Sequence, residues 1–147
     1  MEAFVTAGAG FLLAVLWFDL MFDVQARGTT VDIDAVQSIS TYYRRVTTDA
    51  RGMNKLVVFA MLTTLTAIIV EITTGEVAGW IGWASLALAL PPMLIAGFRT
   101  VPRAVRLGAA SDRADEQARM AQRILREHIA CFILVAALIA VQLTSAT

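Results

Sequence analysis

The chain has 147 residues, of which 58% are hydrophobic and 16% charged. A soluble domain averages about 45–50% apolar and about 25% charged residues, so one domain of this length cannot hide so much apolar surface from water. The same numbers exclude disorder. The 12 basic and 12 acidic residues cancel, which excludes a generally basic nucleic-acid binder.

Four apolar segments stand out, over residues 3–22, 53–74, 77–98 and 128–146. Each is near the roughly 20 residues that a helix needs to cross the hydrocarbon core. A backbone in lipid must bond to itself, so each is read as a helix. The expected fold is all-α: one integral membrane domain, a four-helix transmembrane bundle with cytoplasmic helical extensions of helices two and four. The intervening segments 24–52 and 99–127 are read as cytoplasmic loops.

Helix one carries no Lys or Arg before Arg27, whereas a signal peptide begins with positive charge. It is therefore expected to be retained. Its inner end holds Asp19 and Asp23, four residues apart and on one helical face. A carboxylate at a helix C-terminus opposes the dipole, so these acids need a partner elsewhere. In the segment that follows, Asp32 and Asp34 are N-cap-type residues. Val36, Ile39, Tyr43 and Val46 come after them at helical spacing. Helix two is thus expected to begin well before the membrane. Asn54 and Lys55 open its apolar part, and Thr63, Thr64 and Thr66 can bond the preceding turn. Glu71, near the far end, is expected to snorkel to the interface.

Trp80 and Trp83 open helix three in the manner of an aromatic belt. Pro91-Pro92 interrupts its middle. Gly8, Gly10 and Ala14 in helix one, and Gly79 and Gly82 in helix three, allow close helix approach. Arg99 and Arg103 follow on the same side as Asp19. Ser111-Asp112 signals a new helix start, and Asp115 and Arg119 form a favourable four-apart pair. From there the helical pattern runs unbroken into helix four, whose base carries Arg126, Glu127 and His128. Cys131 is the only cysteine; it sits in an apolar stretch and reads as a small hydrophobe.

All 12 Lys and Arg fall in the two segments around 27–55 and 99–126. The positive-inside rule then puts both loops in the cytoplasm and both termini outside. The chain is read as a multi-pass protein of a bacterial inner membrane, with the lipid bilayer as its first partner and no nucleic acid.

This topology brings polar groups of all four helices to one level. Ionisable residues in membrane segments usually face the protein interior. One reading is a ring of salt bridges between Asp19, Asp23 and nearby Arg. The other is a functional site. In that site Asp19, Asn54 and His128 form the catalytic core, and Arg99, Asp23 and Arg103 bind a substrate. His128, the only histidine, is suited to act as a base near neutral pH. Asp19, Asp23, Glu127 and His128 also offer ligands for a single metal ion. No motif requires a cofactor, and a di-iron site is disfavoured because the paired Glu-x-x-His pattern is absent. There is no phosphate-binding Gly loop, CxxC, HExxH or GxSxG.

The order of features resembles the anthrone-oxygenase-like family of small four-helix membrane proteins. AGFRTVPRAVRLGA is similar to that family's Pro-containing basic stretch after helix three. RILREHIACFIL is similar to its fourth helix, which opens with a His near Arg. Arg103 stands where the family has Asn after the proline, and no Trp precedes His128. The resemblance implies cofactor-independent oxidation of a polycyclic phenolic compound. Three functional readings stay open: an oxidoreductase or binder of a hydrophobic small molecule, a non-enzymatic subunit or assembly factor of a larger membrane complex, and a small transporter or channel formed by a homo-oligomer.

Overall fold

The computed structural model describes residues 1–28 and 30–144, the side chains of Arg51 and Met53 excepted. The expected end of helix four at 146 lies outside them. Helix α1 (Glu2–Asp23) closes in a 3-10 turn, Val24–Ala26. Then come α2 (Ile33–Arg44), a π turn (Arg45–Asp49) and α3 (Arg51–Thr74). Next are α4 (Gly79–Ile95), a second π turn (Ala96–Thr100), α5 (Val101–Ala109) and α6 (Ala114–Leu143). Among the described residues there is no strand.

Four stretches are long and apolar enough to cross a membrane: Glu2–Ala26, Asn54–Thr74, Gly79–Ala109 and Ala114–Leu143. The chain is therefore a small polytopic all-α membrane protein. α1 packs on α3 and α6, and α4 packs on α3 and α6, which closes a four-membered ring. Its core is built from small and aliphatic residues, among them Val5, Ala9, Ala67, Ile68, Ala89, Val135 and Leu138. A Cβ on Gly8 would collide with Thr64, and one on Gly82 would come within 2.6 Å of Ile72 Cγ1. These two glycines set the close approaches. Gly10 and Gly79 have nothing within 4 Å of such a Cβ, so the expectation of close approach fails for them. Thr64 returns its hydroxyl to the Ala60 carbonyl at 2.8 Å, as the threonine run suggested. α3 ends in the left-handed turn at Gly75 (φ 68°), whose N–H reaches the Glu71 carbonyl at 3.1 Å.

A second core lies at the end of the bundle where the basic residues are. There α2 packs on α5 and α6, burying Ile39, Tyr43, Leu107, Ala121 and Ile124. The pattern read from Val36, Ile39 and Tyr43 is the buried face of α2, and Asp32 caps it by accepting from the Ile33 N–H at 2.7 Å. Gly108 makes the α2–α5 contact possible. A Cβ there would meet Arg44 N at 2.6 Å, Arg44 Cα at 2.9 Å and Tyr43 C at 3.0 Å.

Several expectations need correction. α2 does not run straight into α3: the π turn and Ala50 (φ −98°, ψ 49°) separate them. The segment 99–127 is not a loop up to Ser111. The helix continues through Pro91 and Pro92 and, after the π turn at Ala96–Thr100, goes on as α5. Pro102 suits that helix because, in its first turn, its missing N–H has no partner to lose. α6 begins at Ala114 rather than at Ser111-Asp112, because both Asp112 carboxylate oxygens accept from Arg106, at 2.8 and 2.6 Å, instead of capping. The Asp115–Arg119 pair forms as expected, at 2.9 Å. Glu71 does not snorkel. It is 0% exposed and accepts from Gln142 Nε2 at 3.0 Å, while the same Nε2 reaches Ser85 Oγ at 3.0 Å. Polar groups on α4 and α6 at the level of Glu71 draw the carboxyl inward.

Candidate functional site: a buried Asp–His–Tyr centre

The last turns of α1 and α2 meet the middle of α6 where the two cores join. Asp23 on α1 is 0% exposed. Its Oδ1 accepts from the Tyr43 hydroxyl at 2.7 Å, and its Oδ2 lies 2.6 Å from His128 Nδ1. Asp19, one turn earlier, accepts from the Tyr42 hydroxyl at 2.6 Å through Oδ1. Its Oδ2 faces His128 Nε2 at 3.8 Å. The single imidazole thus stands between two carboxylates, each of which also holds one tyrosine. The Asp19 side chain is 18% exposed and that of His128 8%, so Asp19 forms the accessible edge.

Local structure explains the arrangement. Residues four apart share a helix face, so Asp19 and Asp23 both point at α6. α2 is pinned by its apolar face against α5, and Gly108 lets the two backbones touch at Tyr43 and Arg44. Neighbouring tyrosines at the end of α2 therefore reach acids one turn apart on α1. Phe22 stacks on Tyr42, with centroids 4.0 Å apart and planes at 8°. Tyr42 meets Tyr43 edge-on at 5.3 Å. Burial, with Asp19 beside it, holds the Tyr42 phenol above its ordinary range. Burial and Asp23 do the same for Tyr43. Both tyrosines are proton donors to carboxylates.

The contacts fix the imidazole's role. With Asp23 as an acceptor at 2.6 Å, the ring proton sits on Nδ1 when the imidazole is neutral. Nε2 then carries the lone pair, and no hydrogen-bond partner lies within 3.5 Å of it among the described residues. This is the geometry of an oriented base: one nitrogen anchored by a carboxylate, the other able to take a proton.

Asp19 and His128 are brought together as the sequence suggested. Asp23 joins them, but with both oxygens used by the protein it orients the histidine and does not touch a ligand. No arginine pairs with either acid among the described residues, so the expected ring of Asp–Arg bridges is not what forms. Asn54 is exposed and its amide bonds the Thr47 carbonyl at 3.3 Å, away from the centre. Arg99 is exposed on the second π turn. Arg103 pairs with Glu127, which also accepts from Thr100 at 2.9 Å. Glu127 is thus held on α5's side of α6, and no group of three His, Cys, Asp or Glu is placed to hold a metal among the described residues. The tyrosines are what sequence reasoning missed: Tyr43 was seen only as part of an apolar face, and Tyr42 not at all. Their signal was adjacency, since the chain's two tyrosines stand side by side.

A groove of about 380 Å³ opens beside the centre, lined by Phe22, Asp34, Gln37, Thr41, Tyr42 and Arg45 among others. Tyr42 is the wall residue that the groove shares with the Asp19 bond. Fold and centre together define a small polytopic all-α membrane protein with an oriented Asp–His–Tyr site at the basic end of its bundle. No family model, curated protein or solved structure matches the chain.

Proposed function

We propose that this protein binds a hydrophobic small molecule with an acidic O–H or activated C–H at the basic end of the bundle, and that His128 removes that proton. The observation that carries the reading is the placement of His128 between Asp23 at 2.6 Å and Asp19 at 3.8 Å. In the step, the substrate's bond to hydrogen breaks and its electron pair stays on the substrate. The proton goes to Nε2, and the imidazolium is stabilised by carboxylates on both sides. The groove supplies a stacking surface in Phe22 and Tyr42, and Arg45 supplies a cation for the resulting anion. Arg45 thereby takes the part expected of Arg99. The distribution of basic residues supports a cytoplasmic location for this end.

The resemblance to anthrone-oxygenase-like proteins suggests a polycyclic phenolic class and an oxidative fate: the carbanion of anthrone reacts with dioxygen, and the His128 imidazolium returns its proton to the departing oxygen, so that anthrone and dioxygen give anthraquinone and water. Anthrone is therefore the probe. Wild-type protein in micelles should accelerate anthraquinone formation, and His128→Ala and Asp19→Asn should abolish the acceleration while keeping their helical circular dichroism. A wild-type protein that neither binds anthrone nor speeds its oxidation would sink the phenolic assignment. Full activity in both folded variants would sink the site.

A further inference from the structure

At the other end of the bundle Glu71 poses a separate problem. It is 0% exposed on α3, and Ser85 on α4 and Gln142 on α6 are equally buried beside it. One carboxyl oxygen accepts from Gln142 Nε2 at 3.0 Å, and the other, Oε1, has no hydrogen-bond partner among the described residues. Every Lys and Arg lies in the segments of the opposite end. The acids near this end are Glu2 and Glu76, and the Met1 amino group is engaged by Glu76 at 2.7 Å. Among the described residues α4 and α6 offer Glu71 only the neutral Ser85 and Gln142. A carboxylate in an apolar interior with neutral partners alone is strongly disfavoured, and its charge must be balanced. Among the described residues the one cation that acts on Glu71 is the exposed Met1 amino group, which is bonded to Glu76 and makes no ion pair with Glu71, so most of the balance comes from solution.

We propose that Glu71, with Ser85 and Gln142 around it, is a binding site for one small monovalent cation, a proton or Na⁺. Three helices converge on it, so occupancy joins α3, α4 and α6 at the end of the bundle remote from the Asp–His–Tyr centre. The site is independent of the proposed function and stands whether or not His128 is a base.

The test uses the full chain in detergent with dicyclohexylcarbodiimide, which adds to a protonated carboxyl in an apolar site and is read by mass spectrometry of the Glu71 peptide. If the cation is a proton alone, labelling is insensitive to NaCl and is lost in alkaline buffer. If the site also takes Na⁺, replacing choline chloride by NaCl at a constant ionic strength of about 0.1 M protects Glu71 from the label. The melting temperature then rises in NaCl for the wild type and not for Glu71→Gln. Absence of label at every pH in sodium-free buffer overturns the proposal. So does labelling that follows neither pH nor Na⁺, or a Na⁺-dependent melting shift that persists in Glu71→Gln.

Discussion

Asp23→Asn tests the centre most directly. Asp23 is fully buried and accepts from Tyr43 and His128 at 2.7 and 2.6 Å. Asparagine keeps the shape but has one acceptor oxygen, so it can accept from only one of the two donors. A hydrogen bond to a charged group contributes about 1.5–3 kcal/mol, and the expected loss in stability is about one such bond. Asp23→Ala orphans both donors and should cost about 1–3 kcal/mol for each, the range for a buried polar group left unsatisfied. The amide also changes the histidine. If its carbonyl stays with Tyr43, its NH₂ donates to Nδ1 and the ring proton moves to Nε2, removing the lone pair. The chain has one histidine, so its imidazole ¹⁵N spectrum reads this centre alone. The wild type should give an Nδ1–H tautomer and Asp23→Asn an Nε2–H tautomer, together with loss of proton abstraction. An unchanged tautomer, or a stability loss for Asp23→Ala under about 0.5 kcal/mol, the level of an ordinary surface substitution, would refute the reasoning.

The two tyrosines are the only ones in the chain, so a phenolate absorbance titration also reads the centre alone. Their folded-state values are raised, chiefly by burial. Their contribution to stability is therefore fully present below the unfolded value of about 10 and is lost as pH rises above it. The folded protein should show no phenolate at about pH 10, with a rise only on unfolding; an ordinary titration in the folded state would contradict this. Tyr42→Phe should cost less than Tyr43→Phe. Asp19 is 18% exposed and water can replace the lost donor, whereas Asp23 would keep a buried oxygen unsatisfied at about 1–3 kcal/mol. Equal costs in denaturation would argue against that difference in burial. Gly108→Ala places a methyl against the backbone of Tyr43 and Arg44 at 2.6–3.0 Å. Overpacking of this kind costs about 1–3 kcal/mol, against about 1 kcal/mol gained in helix propensity. A net loss of stability and faster hydrogen exchange in α2 are expected, and a more stable variant would show that α2 and α5 yield freely.

The apolar architecture was legible because it rests on composition and segment length, which lipid converts directly into helices. Asp32, Val36, Ile39 and Tyr43 likewise carried α2 by local rules alone. What sequence could not carry was the direction of side chains between elements. α5 was missed because Pro102 and the basic residues around it read as a loop; the proline is harmless in the first turn, and Leu107 supplies a buried anchor. Glu71 was read as an interfacial acid because its partners, Ser85 and Gln142, are 14 and 71 residues away in sequence. The meeting of Asp19 with His128 was anticipated from topology. The tyrosines that complete it depend on the α2–α5 contact, which Gly108 permits and no periodicity announces.

The contrast between Glu127 and its neighbour His128 separates two uses of charge at the same level of the bundle. Glu127 is held by Arg103 and the Thr100 hydroxyl, donors that keep their protons at any ordinary pH. That suits a fixed bond between α5 and α6. Asp19 and Asp23 lie at an end of the molecule rich in arginine, yet their donors are two phenols and an imidazole. An acid needing only a structural partner would be served by Arg, as Glu127 is. Choosing groups that can release or accept a proton, and leaving one imidazole nitrogen facing a carboxylate across 3.8 Å, costs the rigidity of an ion pair and gains a place where a proton can move. That substitution of partners favours proton transfer over simple anchoring at this centre.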